Sequence, residues 1–150
     1  MIPKGEKIQG SLAGLRVLDL TRVWAGPLAT RIYGDYGASV LKISDPRVPL
    51  VSPNGLNSKL NRNKKNIGLR LDKTDGRNIF LELTAISDVI IENFRPRVMR
   101  NLNITYETLA RINPHIIMCS MPGFGLEGPY SEYPAFGTTA EALAGIPGLI

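Results

Sequence analysis

The sequence predicts an α/β domain built on a mainly parallel sheet with helices on both faces. Two observations predict it. β-rich apolar runs recur along the chain, and segments with helical spacing lie between most of them. Parallel strands need such crossovers, and right-handed crossovers put the helices on both faces.

The strands are expected at Leu15–Leu20 (LRVLDL), Ser39–Ser44 (SVLKIS), Asn66–Leu71 (NIGLRL), Asp88–Asn93 (DVIIEN) and His115–Met121 (HIIMCSM). The first helix, within GPLATRIYGDYG, opens near Pro27 and closes at Gly37 as a C-terminal cap. In KTDGRNIFLELTAIS, Ile79, Phe80, Leu83 and Ile86 share one face, and Thr74 or Asp75 is placed to cap the start. NITYETLARINP begins at Thr105 and stops before Pro114, and TTAEALAGI ends at Gly145. Residues 1–11 read as a leader, and residues 12–150 as the domain. Asp45–Lys65 reads as a long loop with three prolines, of the kind that is functional or disordered. The apolar ending, PGLI, suggests a piece of a longer protein.

Composition excludes several classes. No apolar run approaches the ~18 residues of a membrane span, and the N-terminus lacks a signal-peptide core, so a cytoplasmic protein without a membrane partner is expected. One cysteine, Cys119, forbids an intrachain disulfide and reads as a buried, inert thiol. With a single histidine, His115, no metal is expected. The net charge is +5. Its positives gather in KLNRNKKNIGLR and RPRVMR, read as solvated surface that favours anionic partners. Neither patch is interleaved with aromatic residues, so nucleic acid is not expected.

Ligands of parallel sheets bind beyond the carboxyl ends of the strands. Three predicted strands end there in polar, glycine or aromatic residues. The first exits into Thr21, Arg22, Val23, Trp24 and Ala25 before a helix N-terminus, which attracts anions. The fourth releases Asn93 to hydrogen-bond a ligand, Phe94 to pack on it and Arg95 to meet an anion. The fifth exits into SMPGFGLEGPY. No P-loop is present, and Gly123, Gly125 and Gly128 spell G-x-G-x-x-G before Pro129 with no helix to follow, so they read as a loop. No serine sits in a hydrolase elbow.

Five segments resemble, in order and spacing, the N-terminal part of the class III coenzyme A transferases: LAGLRVLDLTRVWAGPLATRIYGDYGASVLKI, NRNKKNIGLRL, DVIIENFRPRVM, ITYETLARINPHIIMCSMPGFGLEGPY and AFGTTAEALAGI. The resemblance implies the N-terminal part of a larger fold with a Rossmann-like large domain, an interlocked homodimer, and acyl-CoA and a carboxylic acid as substrates. Its chemistry is attack of an aspartate carboxylate on the thioester, giving a mixed anhydride. The residues it aligns with CoA are Arg22, Val23, Trp24, Ala25, Leu69, Asn93, Phe94, Val98 and Arg100. Arg100 would replace the cation usual at Asn101. The family's ENFRPG glycine is Arg97 here, its acidic residue after the second strand is Ser44, and Phe136-Gly137 offers no racemase histidine. Glu141 reads as a helix-surface residue.

The family's nucleophilic aspartate is expected beyond residue 150, so the catalytic residue is unknown within the chain. Asp19 reads as structural, and Glu92 as pointing opposite to Asn93. Three functions follow: an acyl-CoA:carboxylate CoA-transferase; a non-catalytic CoA- or nucleotide-binding module from a truncated gene product; and an α/β domain for another phosphate ligand.

Overall fold

The structure is a computed structural model that describes residues 10–48 and 55–148. Outside the described residues lie residues 1–9 of the expected leader, 49–54 of the expected long loop, and Leu149 and Ile150 at the apolar chain end.

One sheet of five parallel strands forms the centre: β1 (Arg16–Asp19), β2 (Ser39–Ser44), β3 (Lys64–Gly68), β4 (Val89–Glu92) and β5 (Ile117–Ser120), in the order β3-β2-β1-β4-β5. The chain starts mid-sheet, winds out to β3, and returns to lay β4 on the other side of β1. Connections leave β1 and β4 in opposite directions, so a crevice opens between their carboxyl ends. The helices are α1 (Ala25–Asp35), α2 (Leu56–Leu60), α3 (Thr74–Ala85), α4 (Pro96–Asn101), α5 (Tyr106–Ile112) and α6 (Gly137–Leu143).

Strand alternation sorts the core into two layers. Leu18, Leu20, Ile43 and Ile90 face Phe80 of α3, Met99 of α4 and Leu109 of α5. Val17, Val40, Val89 and Ile91 face the other way, towards α1. Register places Val17 beside both Val40 and Val89. Two glycines in and around α1 are required. A Cβ on Gly26 would collide with the Thr21 side chain, and Gly37 closes the helix at φ 96°, as expected for a C-terminal cap.

Several expectations are corrected. The third strand starts two residues early, because Lys64 and Lys65 pair in register with Val40 and Leu41. The expected long loop holds α2. On α3 the buried stripe is Gly76, Phe80 and Thr84, spaced four apart, while Ile79 and Ile86 are exposed. Neither Thr74 nor Asp75 caps that helix. Lys73 is the boundary residue, and Asp75 lies in the first turn, where its charge suits the helix dipole. Cys119 is exposed, because β5 is an edge strand whose second face no described helix covers; Ile117 beside it is 62% exposed.

The solvated reading is corrected for Lys64 alone, because a buried charge cluster ties β1, β2, β3 and α1 together, while Lys65 is exposed. Asp19, fully buried, accepts from Lys42 Nζ at 3.2 Å and from Lys64 Nζ at 2.9 Å. Lys64 also donates to the Pro27 carbonyl and Thr30 Oγ1 of α1, at 2.9 and 2.8 Å. Burial pushes the Asp19 carboxyl up, but the two ammoniums and the Thr21 and Thr30 hydroxyls outweigh it and hold it below its ordinary range. Burial draws both lysines below theirs, against the pull of Asp19. The cluster carries two positive charges against one negative, so the carboxylate is the group that neither lysine can lose. Asp19→Asn is expected to destabilise the fold by about 3–5 kcal/mol, since it strands two buried ammoniums. Urea denaturation measures this, and a loss below about 1 kcal/mol would show that the cluster does not hold the sheet.

Candidate functional site

A cleft of about 860 Å³ runs along the carboxyl edge of the sheet. All five strand exits contribute: Arg22–Ala25 after β1, Asp45 and Arg47 after β2, Leu69 and Asp72 after β3, Asn93–Arg95 after β4, and Met121–Gly123 after β5. Tyr133 to Gly137 roof it. Small-molecule sites commonly measure about 300–1,000 Å³.

Of the residues singled out from sequence, Arg22, Val23, Trp24, Ala25, Leu69, Asn93, Phe94 and Val98 line this cleft. Arg100 does not line it. Its guanidinium forms an ion pair with Glu132, which also accepts from the Arg97 backbone N–H at 3.3 Å. The Glu132 carbonyl in turn accepts from Arg95 at 3.3 Å. Glu132 thus fastens the roof segment onto α4, and Arg100 serves that tether. Arg47 and Arg95 line the cleft instead; sequence reading placed Arg95 in the crevice as an anion partner but gave Arg47 no role. Their signal is position, since each follows a strand exit within three residues.

The exit of β1 is held by side chains from its neighbours. Lys42 Nζ donates to the Thr21 carbonyl. Asn93 Oδ1 accepts from the Arg22 N–H at 2.7 Å, and Asn93 Nδ2 donates to the Arg22 carbonyl at 2.8 Å. Val23 then adopts φ 69°, and it and Trp24 are mostly exposed. The Arg22 guanidinium lies 5.2 Å from the centre of the Phe94 ring, a cation–π contact. Phe94 is placed by Glu92, whose Oε2 accepts the Phe94 N–H at 2.7 Å. Glu92 is buried, on the side of the chain opposite Asn93. Burial raises its carboxyl above the usual range, against the Ser120 hydroxyl and the Phe94 N–H.

Two carboxylates line the cleft, Asp45 and Asp72. Arg47 reaches both, at 2.6 and 3.6 Å. Its hydrogen bonds push Asp45 down to about 2, and Arg70 holds Asp72 well below the carboxylate range. Both stay ionised and paired. Arg22 and Arg95 make no ion pair among the described residues. The cleft therefore offers two cations without carboxylate partners, an aromatic ring and apolar walls, which suits a large anion with an apolar or aromatic part. Gly123, Gly125 and Gly128 lie on a loop with no helix behind them, and Glu141 is an exposed residue of α6. Among the described residues no group of three or more His, Cys, Asp or Glu side chains could hold a metal ion, and no helix is long and apolar enough to cross a membrane.

A family model, CoA-transferase family III, matches residues 12–149. The acetyl-CoA:oxalate CoA-transferase of Acetobacter aceti is 44% identical over 149 residues, covering 93% of this chain and 38% of that protein. The succinyl-CoA:glutarate CoA-transferase of Mus musculus is 39% identical over 145 residues, covering 90% of this chain and 33% of that protein. The crystal structure of a CAIB/BAIF family protein from Brucella suis superposes with a TM-score of 0.82 at 32% identity, covering 92% of this chain and 40% of that one. The chain thus spans between a third and two-fifths of the length of these relatives.

The two buried carboxyls respond to acid in opposite ways. Glu92 binds a proton more tightly folded than unfolded, so stability rises as pH falls through its raised value, and the gain is complete below its ordinary 4.5. Asp19 contributes fully above its ordinary 3.8 and loses that contribution as pH falls through its lowered value. The urea midpoint is expected to climb from neutrality towards pH 4.5 and then drop below 3.8. Glu92→Gln, which keeps an acceptor for the Phe94 N–H, should erase the climb and keep the drop. A climb that persists in that variant would remove Glu92 from the account.

Proposed function

The chain belongs to CoA-transferase family III, and from that premise we propose that its cleft binds the CoA part of an acyl-CoA whose CoA is passed to a carboxylic acid. The observation that carries this reading is the convergence of Arg22, Arg95 and Phe94 at one sheet edge, with apolar Leu69 and Val98 beside them. CoA is a large polyanion with an aromatic base and a long arm. Arg22 and Arg95 meet phosphate charge without first breaking an ion pair. The N-terminus of α1 opens beside Ala25 and adds its dipole. Phe94, Leu69 and Val98 offer apolar and aromatic surface to the base or the arm. Arg100 acts at one remove, by holding the roof through Glu132.

In this reading the chain binds and orients the thioester, while the aspartate that attacks it lies beyond residue 150. Asp45 and Asp72 are the described carboxylates at the cleft, and arginines hold both. Asp19 is buried under two lysines. A carboxylate held in an ion pair is a weak nucleophile, and covalent catalysis needs one aimed at the thioester carbon.

CoA should bind with an affinity that falls as salt screens the arginines. Arg22→Ala and Arg95→Ala should each weaken it about tenfold, on the scale of one charge-assisted hydrogen bond. Dephospho-CoA should bind less tightly. Incubation with an acyl-CoA and carboxylate acceptors, followed by hydroxylamine, should yield no protein hydroxamate. Isothermal titration and mass spectrometry decide both points. Equal affinity for CoA and its dephospho form in native and variant proteins would sink the binding site, and a hydroxamate on this chain would place the nucleophile within it.

The same reading includes association with a second copy. Ile117, Tyr130, Phe136 and Leu143 are all more than half exposed around β5 and α6. Sedimentation should show self-association that rises with concentration, together with binding of a hydrophobic dye. A monomer at all concentrations, blind to the dye, would contradict it.

A further inference from the structure

The family resemblance aligns Asn93 with a ligand contact, yet both ends of its amide are committed to the backbone of Arg22. We infer that Asn93 is a positioning residue for the CoA cleft: it clamps the peptide between Arg22 and Val23 and thereby sets the direction of Arg22 and Trp24. The inference rests on the CoA reading for its effect on affinity, and on geometry alone for its effect on the loop.

The Arg22 carbonyl belongs to the peptide that joins Arg22 to Val23. The hydrogen bond from Asn93 Nδ2 to that oxygen fixes how the plane is turned, and so fixes the φ of Val23. That φ is 69°, in the left-handed region, where a β-branched side chain is strained. Packing does not compensate, because Val23 is 68% exposed. What opposes relaxation is the clamp, with Lys42 on the preceding Thr21 carbonyl and α1 starting two residues later. Without the Asn93 donor, the peptide can flip and return Val23 to an extended backbone. Arg22 then leaves the Phe94 ring, and Trp24 changes its surroundings. Trp24 is the single tryptophan of the chain, so the loop carries its own fluorescent reporter.

The test uses the full chain with CoA as the ligand. Asn93→Ala should lower CoA affinity about tenfold, as two backbone hydrogen bonds are lost. It should also change the anisotropy and acrylamide quenching of Trp24 with no ligand present. Asn93→Asp, close in size, keeps an acceptor for the Arg22 N–H and loses the donor to the Arg22 carbonyl, so it should change Trp24 as alanine does. Val23→Gly adopts the left-handed backbone without strain, so in the Asn93→Ala background it should recover affinity, with a coupling of at least about threefold. An affinity loss with unchanged ligand-free Trp24 signals and no rescue by Val23→Gly would make Asn93 a direct contact and overturn the inference. So would unchanged affinity together with an unchanged Trp24. If the native chain fails to bind CoA while both Asn93 variants still move Trp24, the clamp stands and the CoA reading falls.

Discussion

The carboxylate of Asp19 is the group on which the rest of the structure depends. It sits at the end of the central strand, and each of its oxygens faces a lysine from one of the next two strands. A charge that deep is tolerable only when paired and hydrogen-bonded. The pairing therefore fixes more than a distance. Lys42 and Lys64 can both reach Asp19 only when β1, β2 and β3 lie in the observed register, because a slip of one residue would turn a lysine to the opposite face. Lys64 extends the constraint to α1 through Pro27 and Thr30, and Lys42 extends it to the Thr21 carbonyl. The lysines that order the sheet also begin the loop that lines the cleft.

This dependence explains which parts of the protein were legible in sequence. Strand existence was legible because β-branched runs such as VLKI and VII have no good alternative to a buried strand. The cleft edge was legible because polar and aromatic residues follow three of those runs at once. Lys64 was not legible. In sequence it is one more cation among Lys59, Arg62 and Lys65, and only the fold reveals that its ammonium is enclosed while Lys65 is exposed. The third strand was misplaced by two residues for the same reason. Arg100 shows the same limit from another side. The resemblance aligns it with a phosphate contact, and only the fold reveals that Glu132, thirty-two positions away, engages it in an ion pair. Long-range partners of charged side chains are the information a linear pattern does not hold.

The α3 stripe and Cys119 teach a related lesson about burial. Ile79 and Ile86 look like core on spacing, yet the helix turns Gly76, Phe80 and Thr84 inward, because a Cβ on Gly76 would strike the Arg70 backbone and the helix lies close there. Gly76 permits that close approach, and Phe80, fully buried one turn on, fills the core beneath it. Cys119 reads as buried because its neighbours are apolar. A parallel strand buried on both faces and an edge strand covered on one face share that composition, and the number of elements packed on the sheet decides between them.

The cleft follows from how β4 ends. Glu92 is the last residue of that strand and turns inward, and Asn93, one step on, turns to the other side. Each then holds backbone: Glu92 the N–H of Phe94, Asn93 both polar groups of Arg22. This division accounts for an apolar strand that closes on Glu, Asn, Phe and Arg. Two polar side chains build the edge, and the ring and the cation that follow are left facing the cleft. Lys42, Glu92, Asn93, Arg100 and Glu132 thus commit hydrogen bonds to backbone and roof, while Arg22 and Arg95 line the cleft without a carboxylate partner among the described residues.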